Sequence, residues 1–158
     1  MREAVIVSTA RTPLTKSHRG EFNATPGPQL AAYSVKAAVE RSGIDPELIE
    51  DLVMGCGYPE GITGKNIGRQ TALRAGLPLS VAGMVASRFC ASGLQSVAIA
   101  AGRIVAEGVP AMVAGGVESI SAIRAGNPAD IDPWLQEHKP DLYMAMIDTA
   151  DIVAHRKL

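Results

Sequence analysis

Residues 94–105 constrain the fold most, because they predict a helix that is apolar or small on almost every side. Val97, Ile99, Ile104 and Val105 fall on different faces at helical spacing, and alanines fill several positions between them. A helix of this kind is buried on more than one side. We therefore expect it to lie between two layers of a larger structure rather than on the surface of a single sheet.

A cysteine, Cys90, lies in the small-residue turn just before this helix. The preceding residues 83–87 read as a strand, and Ala91, Ser92 and Gly93 leave the backbone open to a ligand. The first turn of a helix has free N–H groups that stabilise a thiolate, which is the reactive form of cysteine. The position therefore suggests a nucleophile. The alternative is a structural cysteine, since free cysteines often act as small buried hydrophobes.

The order of the predicted elements indicates an α/β fold with a mostly parallel sheet. Apolar runs that suit buried strands alternate with helical patterns, one of them beginning at Pro28 and ending at Gly43. No glycine-rich dinucleotide motif follows the first run, which argues against an NAD-binding fold. The predicted strands are residues 4–7, 51–57, 83–87 and 110–116, and the other predicted helices are residues 66–75 and 144–156, with an irregular polar stretch at 124–142 marked by turns at Asn127–Pro128, Asp132–Pro133 and Lys139–Pro140.

Composition narrows the possible partners and the compartment. The chain has 158 residues, a formal charge of -1 and only 4% aromatic residues, so nothing in it favours nucleic acid. We expect no membrane partner, because no apolar run approaches the roughly 20 residues that span a bilayer. Its two cysteines, Cys56 and Cys90, have no metal-ligand or redox spacing. These features predict a soluble, cytoplasmic protein with no bound metal. Cys56 falls at the buried end of the predicted strand 51–57, which indicates a structural role.

Four motifs, in the same order, resemble the thiolase family of acyl-CoA C-acyltransferases, which includes acetyl-CoA acetyltransferases and 3-ketoacyl-CoA thiolases. They are STARTP at residues 8–13, GKNIGRQ at 64–70, RFCASGLQ at 88–95 and GGVESIS at 115–121. The resemblance implies the N-terminal half of a thiolase-like fold, with helices on both faces of the sheet and two such halves facing each other across a shared helix layer. On this basis we assign residues 1–121 to an incomplete N-terminal α/β domain and 122–158 to the beginning of an inserted loop region, the C-terminal half being absent.

The resemblance also implies the chemistry. Cys90 matches the cysteine that becomes acylated, and Met146 matches a methionine that lines the acyl pocket, although Ile147 replaces the usual glycine and Ser87 the usual asparagine. Acyl-CoA and CoA are then the substrates, with no permanently bound cofactor, and the full-length protein is expected to form a homo-oligomer. The family's histidine and second cysteine belong to its later half, and no motif around His18, His138 or His155 matches them.

Three alternatives stay open at this point. The chain could be a non-catalytic, thiolase-like interaction subunit, a piece of a longer enzyme, or a condensing enzyme of the ketoacyl-synthase type, which shares the fold and the cysteine. Glu118 could act as a general base, but hydrogen bonds from its carboxylate to backbone N–H groups of a turn are the expected role.

Overall fold

The computed structural model describes residues 3–122 and 131–156. The chain consists of two compact units, Met1–Ile123 and Arg124–Leu158. The first unit contains α1 (Gly27–Ser42), β1 (Ile49–Gly55), α2 (Ile67–Arg74), β2 (Ala82–Ala86), α3 (Ser92–Ala106) and β3 (Ala111–Gly116). The second contains the short helix α4 (Pro133–His138) and α5 (Met146–His155).

The three strands form a parallel sheet in the order β2-β1-β3. Parallel neighbours need a crossover, and α2 connects β1 to β2 while α3 connects β2 to β3. The predicted α/β class is therefore confirmed, and three of the four predicted strands are present.

The central strand β1 is covered on both faces. Its run Leu52, Val53 and Met54 is almost completely buried, and successive side chains point to opposite faces of the sheet. Leu52 and Met54 belong to the core cluster with residues of α1 and α2. On the opposite face, α3 packs on β1 and β3. Helices thus lie on both faces, as predicted.

The helix boundaries follow local signals in the sequence. Helix α1 begins at Gly27 with Pro28 in its first turn, and it ends where Gly43 adopts φ +65°, a conformation that glycine takes without a Cβ clash. Helix α2 is capped by Asn66, whose side chain accepts a hydrogen bond from the Arg69 N–H. These two helices pack together and cover β1 and β2.

Residues 4–7 do not form the predicted strand. Val5, Ile6 and Val7 are 61–75% exposed, and no ladder hydrogen bonds join this segment to the strands in the described part of the chain. A groove of about 740 Å³ is lined by this segment, by β3, and by residues of α1 and α3. A strand pairs only when its neighbour lies about 4.8 Å away, so β-propensity alone could not bring the segment into the sheet across this groove.

Helix α3 is buried on one face in the described structure. Ser92, Ser96 and Ala100, spaced four residues apart, are buried, whereas Leu94 is 76% exposed and Val105 is 41% exposed. No second layer covers its other faces within the described residues. The two-sided burial expected from the sequence is therefore not reached in this chain.

One stretch, Phe89–Ala106, is long and apolar enough to cross a membrane, by length and composition only. This differs from the sequence-based expectation that no stretch reaches this length, and the core helix of a soluble protein passes the same test. In this chain Arg103 of the same stretch forms ion pairs with Asp51 and Glu50 of β1, at 2.9 and 3.0 Å.

The second unit is more helical than predicted. Asp132 caps α4 by accepting a hydrogen bond from the Leu135 N–H, and Pro140 begins a short 3-10 turn. Both X-Pro pairs were interpreted as turns, but proline is also favoured in the first turn of a helix. Helix α5 was predicted and is present. The turn predicted at Asn127–Pro128 lies outside the described residues.

Candidate active site around Cys90

Cys90 lies in the turn that connects strand β2 to the apolar helix α3. Strand β2 ends at Ala86, a 3-10 turn covers Phe89–Ala91, and α3 begins at Ser92. The predicted strand-to-helix position is therefore confirmed. The Cys90 side chain is free and exposed, so a substrate can reach the sulfur. Its role as a nucleophile stays a prediction.

The residue before Cys90 has an unusual backbone. Phe89 has φ +45°, in the left-handed region that bulky residues rarely adopt. Such a conformation costs of order 1–3 kcal/mol and persists only where its surroundings enforce it. Ser92 helps to enforce it, since its hydroxyl donates to the Phe89 carbonyl at 2.6 Å and accepts from the Arg88 N–H at 2.8 Å. Ser92 is 3% exposed, which shields both bonds from water.

A glycine in β1 lets the start of α3 approach the sheet closely. A Cβ on Gly55 would lie 2.4 Å from the carbonyl carbon and oxygen of Ser92, a distance that real Cβ atoms do not show. Ser96, one turn further along α3, donates to the Gly115 carbonyl of β3 at 2.8 Å. The turn that carries Cys90 is therefore fixed against the carboxyl ends of β1 and β3.

Glu118 stabilises the loop after β1 rather than contacting Cys90. Its Oε2 atom accepts hydrogen bonds from the Gly57 N–H at 2.7 Å and the Tyr58 N–H at 3.3 Å. The expected role in backbone hydrogen bonding is confirmed. Both bonds engage a loop some 60 residues earlier, a pairing that the local motif could not reveal.

The other cysteine, Cys56, is a structural residue of this loop. It is 1% exposed, and its Sγ donates to Glu118 Oε1 at 3.6 Å. Burial, together with the nearby Glu118 charge, raises the pKa of the Cys56 thiol from 9.0 to about 11. The thiol is therefore protonated and unreactive at neutral pH, and the predicted structural role is confirmed.

Two neighbours of Cys90 were missed by the sequence analysis. The Tyr58 ring meets the Phe89 ring edge-on with 5.8 Å between centroids, and the Ser87 hydroxyl donates to the Gly57 carbonyl at 3.2 Å. Neither contact has a sequence signal, because the partners are about 30 residues apart. The serine that replaces the family's usual asparagine thus also bonds the loop.

Within residues 3–122, no side chain is hydrogen-bonded to the Cys90 thiol. Glu118 bonds the loop after β1, and the His18 backbone N–H donates to Ser121 Oγ. His138 and Met146 belong to the second unit, where the His138 ring stacks on Trp134 and Met146 is 77% exposed. His155 is also in that unit and is exposed. The assignment of Met146 to an acyl pocket stays a prediction. Within the described residues, no cluster of His, Cys, Asp or Glu could hold a metal ion.

Comparison with known proteins identifies the family of this chain. The family described as "Thiolase, N-terminal domain" matches residues 4–155. The chain belongs to the thiolase family. That membership confirms the resemblance of the four motifs and the thiolase N-terminal fold.

The relatives are longer proteins. A 3-ketoacyl-CoA thiolase of Bacillus subtilis is 40% identical over 157 residues, which are 99% of this chain and 40% of that protein. An acetyl-CoA acetyltransferase of Cupriavidus necator is 43% identical over 122 residues, covering 77% of this chain and 30% of the relative. A 3-ketoacyl-CoA thiolase of Acinetobacter baumannii is 35% identical over 137 residues, covering 87% of this chain and 35% of the relative. The chain therefore spans less than half the length of these relatives.

Proposed function

We propose that Cys90 is the nucleophile of a thiolase-type acyl transfer between CoA thioesters. One observation carries the proposal: the free, exposed Cys90 thiol lies in the turn that starts α3, directly after a residue held at positive φ. The relatives named as thiolases and acetyl-CoA acetyltransferases support the same chemistry.

The first step would form an acyl-enzyme. The Cys90 thiolate attacks the carbonyl carbon of an acyl-CoA thioester, the C–S bond to CoA breaks, and CoA leaves as a thiolate that takes up a proton. With acetoacetyl-CoA the thiolate attacks the C3 carbonyl carbon, the C2–C3 bond breaks, and acetyl-CoA leaves as a carbanion that takes up a proton. The free N–H groups at the start of α3 would help to stabilise the negative charge that develops on the carbonyl oxygen. In the second step, the acyl group would pass to the sulfur of another CoA or to the carbanion of acetyl-CoA.

The second step needs a base, and no side chain within residues 3–122 is hydrogen-bonded to the Cys90 thiol. Deprotonating CoA or acetyl-CoA in place requires a positioned proton acceptor, typically worth about a hundred- to ten-thousand-fold in rate. The family resemblance assigns that role to a histidine and a second cysteine of the later half. We therefore expect this chain by itself to undergo acylation without repeated turnover.

Incubation with acetoacetyl-CoA and CoA tests this expectation. Intact-mass spectrometry should detect one acyl adduct, peptide mapping should place it on Cys90, and acetyl-CoA release should stop after one equivalent or less. The Cys90→Ser variant should lose the adduct, whereas the matched control Cys56→Ser should keep it.

Two results would contradict the assignment of Cys90 as nucleophile, and a third would contradict only the expectation that turnover does not repeat. An adduct on Cys56, or none on a folded wild-type chain, excludes Cys90 as the acylated nucleophile. Repeated turnover that disappears in Cys90→Ser would instead show that a base is present, and Glu118 and the three histidines would be the first residues to replace.

The wider context is proposed on the same basis. We assign the protein to acyl-CoA and fatty acid metabolism in the cytoplasm, with no resident cofactor and CoA as co-substrate. A homo-oligomer is proposed for the full-length protein. The exposed apolar residues of α3 are consistent with a surface that another part of such an assembly covers.

A further inference from the structure

The loop after β1 contacts the turn of Cys90 but contributes no reacting group. We propose that Glu118 and Tyr58 are positioning residues for the nucleophile: Glu118 fixes the loop, and the loop holds Phe89, and with it Cys90, in the conformation that starts α3. The proposal rests on the acyl transfer proposed above, and it assigns a role to two residues outside the reacting atoms.

One carboxylate anchors the loop after β1. Glu118 Oε2 accepts from two successive backbone N–H groups, those of Gly57 and Tyr58, and Oε1 accepts from the Cys56 thiol. Hydrogen bonds to a carboxylate are about twice as strong as those between neutral groups. The Cys56 N–H adds a bond to the Ala86 carbonyl at the end of β2. The loop is therefore tied both to the segment after β3 and to the strand that leads to Cys90.

The same loop is in direct contact with the residue before Cys90. A Cβ on Gly57 would lie 3.4 Å from the Phe89 backbone and 2.8 Å from Glu118 Oε2. Gly57 therefore packs closely between the Phe89 backbone and the Glu118 carboxylate. The Tyr58 ring meets the Phe89 side chain edge-on. Phe89 is 66% exposed, and the Tyr58 ring is its one aromatic contact among the described residues.

The conformation of Phe89 affects the Cys90 sulfur. The positive φ of Phe89 sets the direction in which the chain enters α3, and Ser92 holds this turn from its carboxyl side. If the contacts of Tyr58 and Gly57 with Phe89 are lost, Phe89 can relax to negative φ, which is the common conformation for phenylalanine. Cys90 would then leave the free N–H groups of the first turn, and its thiolate would lose their stabilisation.

The test compares Tyr58→Ala with Tyr58→Phe, because the ring contact does not use the hydroxyl. The rate of Cys90 modification is measured residue by residue in the full chain, with iodoacetamide and separately with acetoacetyl-CoA. We expect both rates to fall about three- to tenfold in Tyr58→Ala, the range of one aromatic pair, and to stay near wild type in Tyr58→Phe. Cys56 is the internal control, since it stays protected while the core is folded.

A double-mutant cycle and a second site distinguish positioning from general loosening. Tyr58→Ala should have much less effect in a Phe89→Ala background, because the contact is already gone. Glu118→Ala should lower the rate of Cys90 modification about as much as Tyr58→Ala does. Glu118→Gln, which keeps an acceptor for the Gly57 N–H, should have most of the wild-type rate. The pKa of Cys56 is raised by burial and by the Glu118 charge, which Glu118→Ala removes, so the folding of this variant is checked by circular dichroism rather than by Cys56 labelling. If the variant is unfolded, the Tyr58 variants and the double-mutant cycle decide.

The outcomes separate this proposal from the proposed function. Equal Cys90 rates in Tyr58→Ala and wild type, or additive effects of Tyr58→Ala and Phe89→Ala, overturn the positioning role even if Cys90 is acylated. A wild-type chain whose Cys90 is alkylated but never acylated contradicts the acyl transfer, and the alkylation rates of the variants still test the positioning role.

Discussion

At the scale of single residues, the two cysteines show how surroundings decide the behaviour of one functional group. Cys90 lies exposed at the start of a helix, whereas Cys56 is buried beside the carboxylate of Glu118. Desolvation and the neighbouring charge both disfavour the Cys56 thiolate. The Cys56 thiol is therefore held in its protonated form, and it donates a hydrogen bond to the Glu118 carboxylate that anchors the loop beside the Cys90 turn.

The raised pKa of Cys56 predicts a loss of stability at alkaline pH. Because its folded-state pKa is about 11 and its ordinary value is 9.0, the unfolded chain loses this proton first as the pH rises. The stabilisation is complete below pH 9 and is lost between pH 9 and 11. At a pH of roughly 10.5 the loss amounts to about 2 kcal/mol.

Urea unfolding of wild type and Cys56→Ala at about pH 8 and 10.5 measures this effect. The free energy of unfolding of wild type should fall more than that of the variant by about 2 kcal/mol, because the two proteins differ only in the Cys56 thiol. An equal fall in the two proteins would show that the Cys56 thiolate is tolerated in the folded state.

At the scale of elements, α3 is held at both ends. Its first turn packs on Gly55, and Ser96 donates to the carbonyls of Gly93 and Gly115. Near its other end, Arg103 pairs with Asp51 and Glu50 at the start of β1 and with Glu107 one turn later. The orientation of the helix, and so the position of Cys90, depends on these contacts with the sheet.

Two glycine substitutions should therefore have opposite effects on stability. Gly55→Ala places a Cβ in the backbone of Ser92 and should cost at least the 1–3 kcal/mol typical of overpacking. Gly102→Ala, within α3 itself and with nothing within 4 Å of the added Cβ, should gain up to about 1 kcal/mol from helix propensity. Thermal and urea unfolding of both variants measures the difference. A neutral Gly55→Ala would mean that α3 is not seated directly on β1.

At the scale of the whole molecule, the first unit leaves a large apolar surface uncovered. Val5, Ile6 and Val7 are exposed along the groove beside β3, and α3 exposes Leu94 and Val105. Burying one such side chain fully is worth about 1.5–3 kcal/mol, against a total stability of typically 5–15 kcal/mol for a domain. Exposed apolar patches of this kind commonly mark interfaces.

We expect the chain by itself to self-associate through this surface. Size-exclusion chromatography with light scattering should show a mass that rises with concentration. Ile6→Lys combined with Val105→Lys should reduce it, whereas Leu79→Lys, at an exposed site outside the groove, should not. A monodisperse wild-type monomer with a cooperative thermal transition would contradict this expectation.

Local patterns were enough to predict most elements and the position of Cys90. Apolar runs located β1, β2 and β3, and proline and glycine at its ends located α1, because strand propensity and helix capping depend on a few neighbouring residues. The same reasoning failed for residues 4–7, where an apolar run has no strand beside it in this chain. It also missed α4, because Asp-Pro is a signal for both turns and helix starts.

The sequence by itself determined the α/β class, the thiolase family and the position of Cys90 before its helix, since these depend on residue types and short spacings. Only the tertiary structure decided what surrounds that cysteine: the positive φ of Phe89, the Tyr58 contact, the carboxylate of Glu118 on the loop after β1, and the protonated state of Cys56. These features join residues about 30 to 60 positions apart. Their energies depend on burial and distance, which exist only once the parallel sheet has brought the ends of its strands together.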